Sequence, residues 1–222
     1  MATTLAEIKG FLDEFDLKYL VEEEENAIVI GFGCDPEDTT YRDRDGDPHI
    51  QVVIQVLERG EFVAVFAPRA WSVADCEHKA AVFEVLTSVQ MRYKMLRFDY
   101  DVNDGEIRPN IELPLEDAAL TSRQFHRLVH GVIHGVKRFA PVIQHAMQTG
   151  EISWDLIDDD KPAPSPGDLE RLLELAEKAG GIEALEALAG GAGPDVTDDV
   201  DGNASHGDDA DDAADDGQRK AG

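Results

Sequence analysis

The stretch KMLRFDYDVNDGEIRPNIELPL, residues 94–115, decides the fold class. Apolar and aromatic residues alternate with charged ones on both sides of Asn103-Asp104-Gly105. Asn and Asp turn a chain readily and Gly accepts a positive φ, so such a tripeptide between two alternating runs predicts a β-hairpin. Pro109 has no N–H to give to a ladder, and the return strand is therefore expected at a sheet edge or bulged there.

Two further strand pairs lie upstream. KYLVEEEENAIVIGFG, residues 18–33, reads as two short strands around an acidic turn, and HIQVVIQVLERGEFVAVFA, residues 49–67, as two longer strands around ERGE. CDPEDTTYRDRDGDP, residues 34–48, is the loop between the pairs.

Three helices complete the pattern. Leu5, Ile8, Leu12 and Phe15 recur at helical spacing, with Thr4 and Glu7 placed for a capping box. A second helix is predicted from Ser72 to about Arg92. On its wheel Val82, Leu86, Val89, Val85, Ala81 and Phe83 cover about half the circumference, wider than the arc of about 100° that packing on one sheet requires. The surplus points to a second buried contact, and the edge formed by Phe83, or by Ala81 with Val85, is the candidate dimer or partner interface. The third helix runs from Thr121 or Ser122 to about Gln148, with Gly150 just beyond its end and Pro141 inside, where a kink or a break is expected.

Composition changes after residue 157. We read residues 1–157 as one domain, 158–167 as a linker (DDDKPAPSPG), 168–190 as short amphipathic helices (DLERLLELAEKAGGIEALEALAG) and 191–222 as a disordered acidic tail.

The formal charge of the 222 residues is −27, with 31 acids against 15 bases in residues 1–160 and 16 against 5 in the remainder. A field of that sign over both parts repels phosphate backbones and anionic lipid surfaces, which argues against nucleic-acid and membrane partners. It fits a high-salt cytoplasm as well as an ordinary one. The apolar runs are too short to span a bilayer, and the acidic start lacks the features of a signal peptide, so the expected location is cytoplasmic. Cys34 and Cys76 sit in no metal or redox spacing and are expected to be free thiols.

His126, His130 and His134 fall four residues apart in QFHRLVHGVIHGVKRF, residues 124–139. On the wheel they lie away from the apolar face of Phe125, Val129, Val132, Ile133, Val136, Phe139 and Ile143, beside Arg123, Arg127 and Lys137. Paired histidines at that spacing chelate zinc when further ligands and second-shell acceptors complete the site, and nearby cations oppose it. The row therefore reads first as a mildly basic, solvated face suited to an acidic partner or to the acidic tail, with a metal site or a pH switch as alternatives. No metal or other cofactor is expected. The acidic loops DRDGDPHIQVVI and DYDVNDGEIRPN fail as calcium loops, because Pro48 and Asp104 stand where glycine is required and Ile54 and Asn110 where the last ligand would be. No phosphate loop, nucleophile elbow or zinc-protease signature is present in the sequence, and no catalytic residue is assigned.

The run AAVFEVLTSVQMRYKMLRFDYDVNDGEIRPNIELPLEDAALTSRQFHRLVHGVIHGVKRFAPVIQHAMQTGE, residues 80–151, leads a helix into a strand ending DYDV. A return strand beginning DGEIR, the acidic step LPLEDAALT and a long final helix follow. With the elements before it, over roughly residues 3–152, this order resembles the YbjN domain family, itself similar in fold to the type III secretion chaperones. The resemblance implies an α+β domain, a twisted antiparallel sheet packed with helices, commonly a homodimer and without catalytic residues. Its members are described chiefly as candidate sensory-transduction regulators, and the secretion chaperones bind extended segments of client proteins. The expected function is a non-enzymatic protein-binding module, chaperone-like or regulatory, acting as a homodimer on a protein partner. The alternative is a metal-dependent sensor or enzyme built on His126, His130 and His134. In a third version the tail is itself the ligand of another protein.

Overall fold

Alternation in the strands and 3.6-residue periodicity in the helices converge on one buried layer. The structure is a computed structural model, and it describes residues 2–157 except 36 and 38. The expectations for residues 158–222, the linker, amphipathic helices and acidic tail, lie outside the described residues.

In chain order the elements are α1 (Leu5–Asp13), β1 (Leu20–Glu22), β2 (Ala27–Gly33), β3 (His49–Leu57), β4 (Phe62–Phe66), β5 (Trp71–Ser72), α2 (Lys79–Arg92), β6 (Arg97–Tyr100), β7 (Glu106–Pro114) and α3 (Ser122–Thr149). The strands form one sheet in which every pairing is antiparallel. The α+β class, a sheet packed with helices, is thus as expected.

Register fixes how the sheet ends. Ile107 faces Trp71 on one side and Tyr100 on the other, and Asn110 faces Phe66 on one side and Arg97 on the other. Consequently β4 and β5 share one edge of β7, and β6 lies along the opposite edge as a terminal strand. β1 terminates the other side through its pairing with β2.

Here the structure corrects the expectation for Pro109, because β7 is an interior strand. The Pro109 carbonyl accepts from Ala67 N–H at 2.9 Å. The side of the residue that lacks an N–H therefore faces residues 67–70, where the chain leaves the ladder between β4 and β5. A proline is tolerated inside the sheet because no ladder bond is demanded of it there.

Inward residues of the strands, including Ile28, Ile30, Phe32, Ile50, Val52, Ile54, Val63, Val65, Ile107 and Ile111, meet Ile8, Leu12, Val82, Val85, Leu86, Val89 and the apolar side of α3 in one cluster. The strand residues between them form a second, smaller cluster on the other face, Ala27, Val29, Val53, Ala64 and Phe66. All three helices contribute to the first cluster and none to the second.

Caps account for where the outer helices begin. Thr4 and Glu7 form the capping box of α1, with Glu7 N–H donating to Thr4 Oγ1 at 3.3 Å and Thr4 N–H to Glu7 Oε2 at 2.9 Å. Thr121 and Gln124 do the same for α3, which ends on Gly150 in the left-handed conformation (φ 75°).

The predicted second helix is too long at its start. Residues 71–72 are strand, and the chain then turns to enter α2 at Lys79. Val73 N–H donates to Gly105 O at 2.8 Å, and Ser72 Oγ accepts from Ala74 N–H while donating to Asp104 O. Those tertiary bonds hold the segment against the β6–β7 turn in place of another helical turn. The third helix is continuous through Pro141, neither divided nor ended there.

Candidate protein-binding surface

The interface candidates on α2 separate by depth. Val85 is fully buried among the chain's own core residues, whereas Ala81 and Phe83 are half-buried on the flank of the helix. Sequence periodicity places all three on one arc but does not say how far the sheet and α3 reach around it. Phe83 meets Tyr100 of β6 edge to face, with ring centroids 5.0 Å apart.

Of the exposed large apolar side chains among the described residues, Leu156 lies beyond α3 and the other four fall between residues 91 and 102. Val102, in the β6–β7 turn, is 78% exposed, Tyr100 is exposed beside it, and Met91 (87%) and Met95 stand at the other end, where α2 passes into β6. The sequence pattern marks Phe83 but misses these four, because Met95 and Val102 lie in connecting segments, Tyr100 at a strand end, and Met91 on the side of α2 opposite its apolar arc. Tyr100 ends β6, Met95 and Val102 lie just before and just after that strand, and Met91 is in the last turn of α2.

The outward side chains of this edge are held by charge. Arg97 pairs with Glu112 and lies 3.4 Å from Asp99, while Arg108 Nε is 3.9 Å from Asp99 and its guanidinium covers the Phe66 ring at 4.8 Å. Asn110 Nδ2 donates to Asp99 Oδ2 at 2.8 Å. These partners orient the side chains of β6 and leave its outer backbone groups without a strand among the described residues. An open strand edge beside apolar side chains is the arrangement to which another chain adds a strand or docks a helix.

The histidine row is engaged with aromatic rings. His126 packs against Phe15 with centroids 3.9 Å apart and against Phe125 at 5.6 Å. Its partial burial holds its pKa below the usual histidine value, opposed by the Glu14 carboxylate. His134 stacks on Tyr93, whose hydroxyl is 3.0 Å from His134 Nδ1 and donates to Gly131 O. Burial pushes that phenol up to about 12 against the opposing influence of Arg138. His130 and His134 rings stack at 6.1 Å. The face is thus less solvated than its wheel position suggests, because Phe15 after α1 and Tyr93 after α2 cover part of it.

Among the described residues, the side chains that do converge as possible metal ligands are Asp43, Asp47 and His49, with ligand atoms within 4.8 Å of one another. Local bonds account for much of this geometry. Asp43 Oδ1 accepts the N–H groups of Asp45 and Asp47, both at 2.9 Å, and Oδ2 is 3.6 Å from His49 Nε2. The reading of both acidic loops as turns agrees with these bonds and with those of Asp101 and Asp104 to Asn103 N–H and Glu106 N–H. Arg44 joins the two loops through Asp104 at 2.8 Å. The Asp104 carboxyl is held below its ordinary range, first by the Glu106 N–H and then by Arg44.

A cleft of about 200 Å³ lies beside them, lined by Arg42, Asp43, Trp71 and Gln144 among others. Dedicated cofactor sites usually occupy about 300 Å³ or more. Both cysteines are free, Cys34 buried and Cys76 half-buried. Among the described residues no helix is long and apolar enough to cross a membrane.

No family model matches the chain, and no curated protein matches it. Among solved structures it is similar to YbjN from E. coli, at 13% identity and a TM-score of 0.46, over 69% of this chain and 98% of that one. It is also similar to a chain of the ExsC–ExsE complex, at 17% identity and a TM-score of 0.44, over 64% of this chain and 97% of that one. YbjN gives its name to the family that the sequence resembles.

Proposed function

We propose that this protein is a non-enzymatic protein-binding module, chaperone-like or regulatory, that acts as a homodimer on a protein partner and docks through the α2–β6 edge. The observation that carries the reading is the open edge of β6 flanked by Tyr100, Val102, Met91 and Met95, four exposed large apolar side chains in a domain whose net charge is strongly negative. Exposed large apolar groups beside an open strand edge suit a contact site, and methionine adapts to varied partners. The acidic surface disfavours nucleic acids and anionic membranes as partners.

Light scattering of the full chain after gel filtration tests the proposal. A dimer is expected, converted to monomer by Tyr100→Asp combined with Val102→Asp. Val102 lies in an exposed turn, so its replacement does not open the core. A monomeric wild-type chain, or a dimer indifferent to both substitutions, would overturn the assignment of this edge.

A further inference from the structure

The face of the sheet turned away from the helices is buried. Ala27, Val29, Val53, Ala64 and Phe66 are between 2% and 7% exposed, and the amides Gln51 and Gln55 on the same face are at 7%. A bare sheet face meeting water leaves the centre of such a row much more open, since strand side chains stand up from the pleat with solvent above them. α1, α2 and α3 all pack on the opposite face. Arg108 accounts for the cover of Phe66 at one side only. A second layer is therefore required over β2, β3 and β4.

We infer that residues 168–190 of this same chain are that layer, docked by their apolar side on Val29, Val53 and Ala64. Three observations select this occupant. Leu169, Leu172, Leu173 and Ala176 recur at i, i+3, i+4 and i+7, and Ile182, Leu185 and Ala189 at i, i+3 and i+7 after Gly180-Gly181. Glu170, Glu174, Glu177, Glu183 and Glu186 fall between them, giving a stripe that needs an apolar surface and a face that needs water. The spacer 158–167 reaches roughly 33 Å when extended, enough to pass around a sheet whose packed layers are about 10 Å apart. The small residues Ala27, Val29 and Ala64 suit the close approach of a helix. This layer is distinct from the α2–β6 edge and stands whether or not that edge makes a dimer. It completes a helix–sheet–helix sandwich and reserves the outer face for the chain's own segment.

The test uses full-length protein carrying Cys76→Ala and a reporter thiol at Val53→Cys, with Ala64→Cys as a second reporter in case the first perturbs folding. Thiol modification is followed with and without Leu172→Asp plus Leu185→Asp, which lie outside residues 2–157 and leave the domain's core composition intact. The expected result is slow labelling of the reporter, accelerated about tenfold or more by the two leucine substitutions at unchanged far-UV circular dichroism of the domain. A reporter that reacts as fast as an exposed thiol before those substitutions would overturn the inference. So would protection that ignores the leucines, or that disappears on dilution, which would assign the face to a second copy.

Discussion

Thr39 donates its hydroxyl to the carbonyl of Lys137 at 3.2 Å, across the loop between β2 and β3 and the middle of α3. That carbonyl is the acceptor that residue 141 would serve in an unbroken helix, and residue 141 is proline. The same hydroxyl accepts from Tyr41 N–H at 3.1 Å. One buried side chain thus completes the helix and fixes the loop.

Thr39→Val keeps the shape and removes both bonds, and its expected cost is about 2 kcal/mol, from the loss of two hydrogen bonds at a buried hydroxyl. In a Pro141→Ala background residue 141 supplies its own N–H to Lys137 O, so the cost of Thr39→Val should fall. Urea denaturation of the four proteins forms a double-mutant cycle, and strict additivity would contradict the pairing.

Gly105 has φ 73°, and a Cβ built on it would stand 2.4 Å from Ala74 N. Neither the conformation nor the backbone neighbour yields to a rotamer change. Gly105→Ala should cost about 3 kcal/mol, read from the denaturation midpoint. It should also loosen the Val73–Gly105 bond that directs the chain into α2, seen as faster exchange of the Val73 amide.

Burial depresses the pKa of His126 below its unfolded value near 6.5. The unfolded chain then binds the proton more readily, so the contribution is favourable above that value and is lost as pH falls below 6.5, levelling off below the folded pKa. His126→Leu should flatten the decline of the melting temperature between neutral pH and mildly acid pH. An unchanged slope would assign the acid sensitivity elsewhere.

What the sequence discloses and what it hides follow from the range of the forces involved. The hairpin at Asn103-Asp104-Gly105, the Thr4–Glu7 capping box and the start of α3 at Thr121 or Ser122 were legible because their chemistry is local. The start of α2 was not, since Val73 and Cys76 continue the helical spacing while a bond to Gly105, thirty residues on, takes the backbone away. The interior place of β7 was hidden for the same reason, because only the departure of residues 67–70 from the ladder makes room for Pro109. At the candidate surface, Phe83 was visible on the wheel. Tyr100 and Val102 became meaningful only when register put β6 at the end of the sheet.

Hydrogen exchange of the full-length chain at two concentrations, spanning its association, tests the docking edge most directly. The account predicts that amides of β6 and of the last turns of α2 gain protection as the chain is concentrated, while those of β1 at the far edge do not change. Protection that is independent of concentration at β6, or that appears at β1 instead, would contradict it.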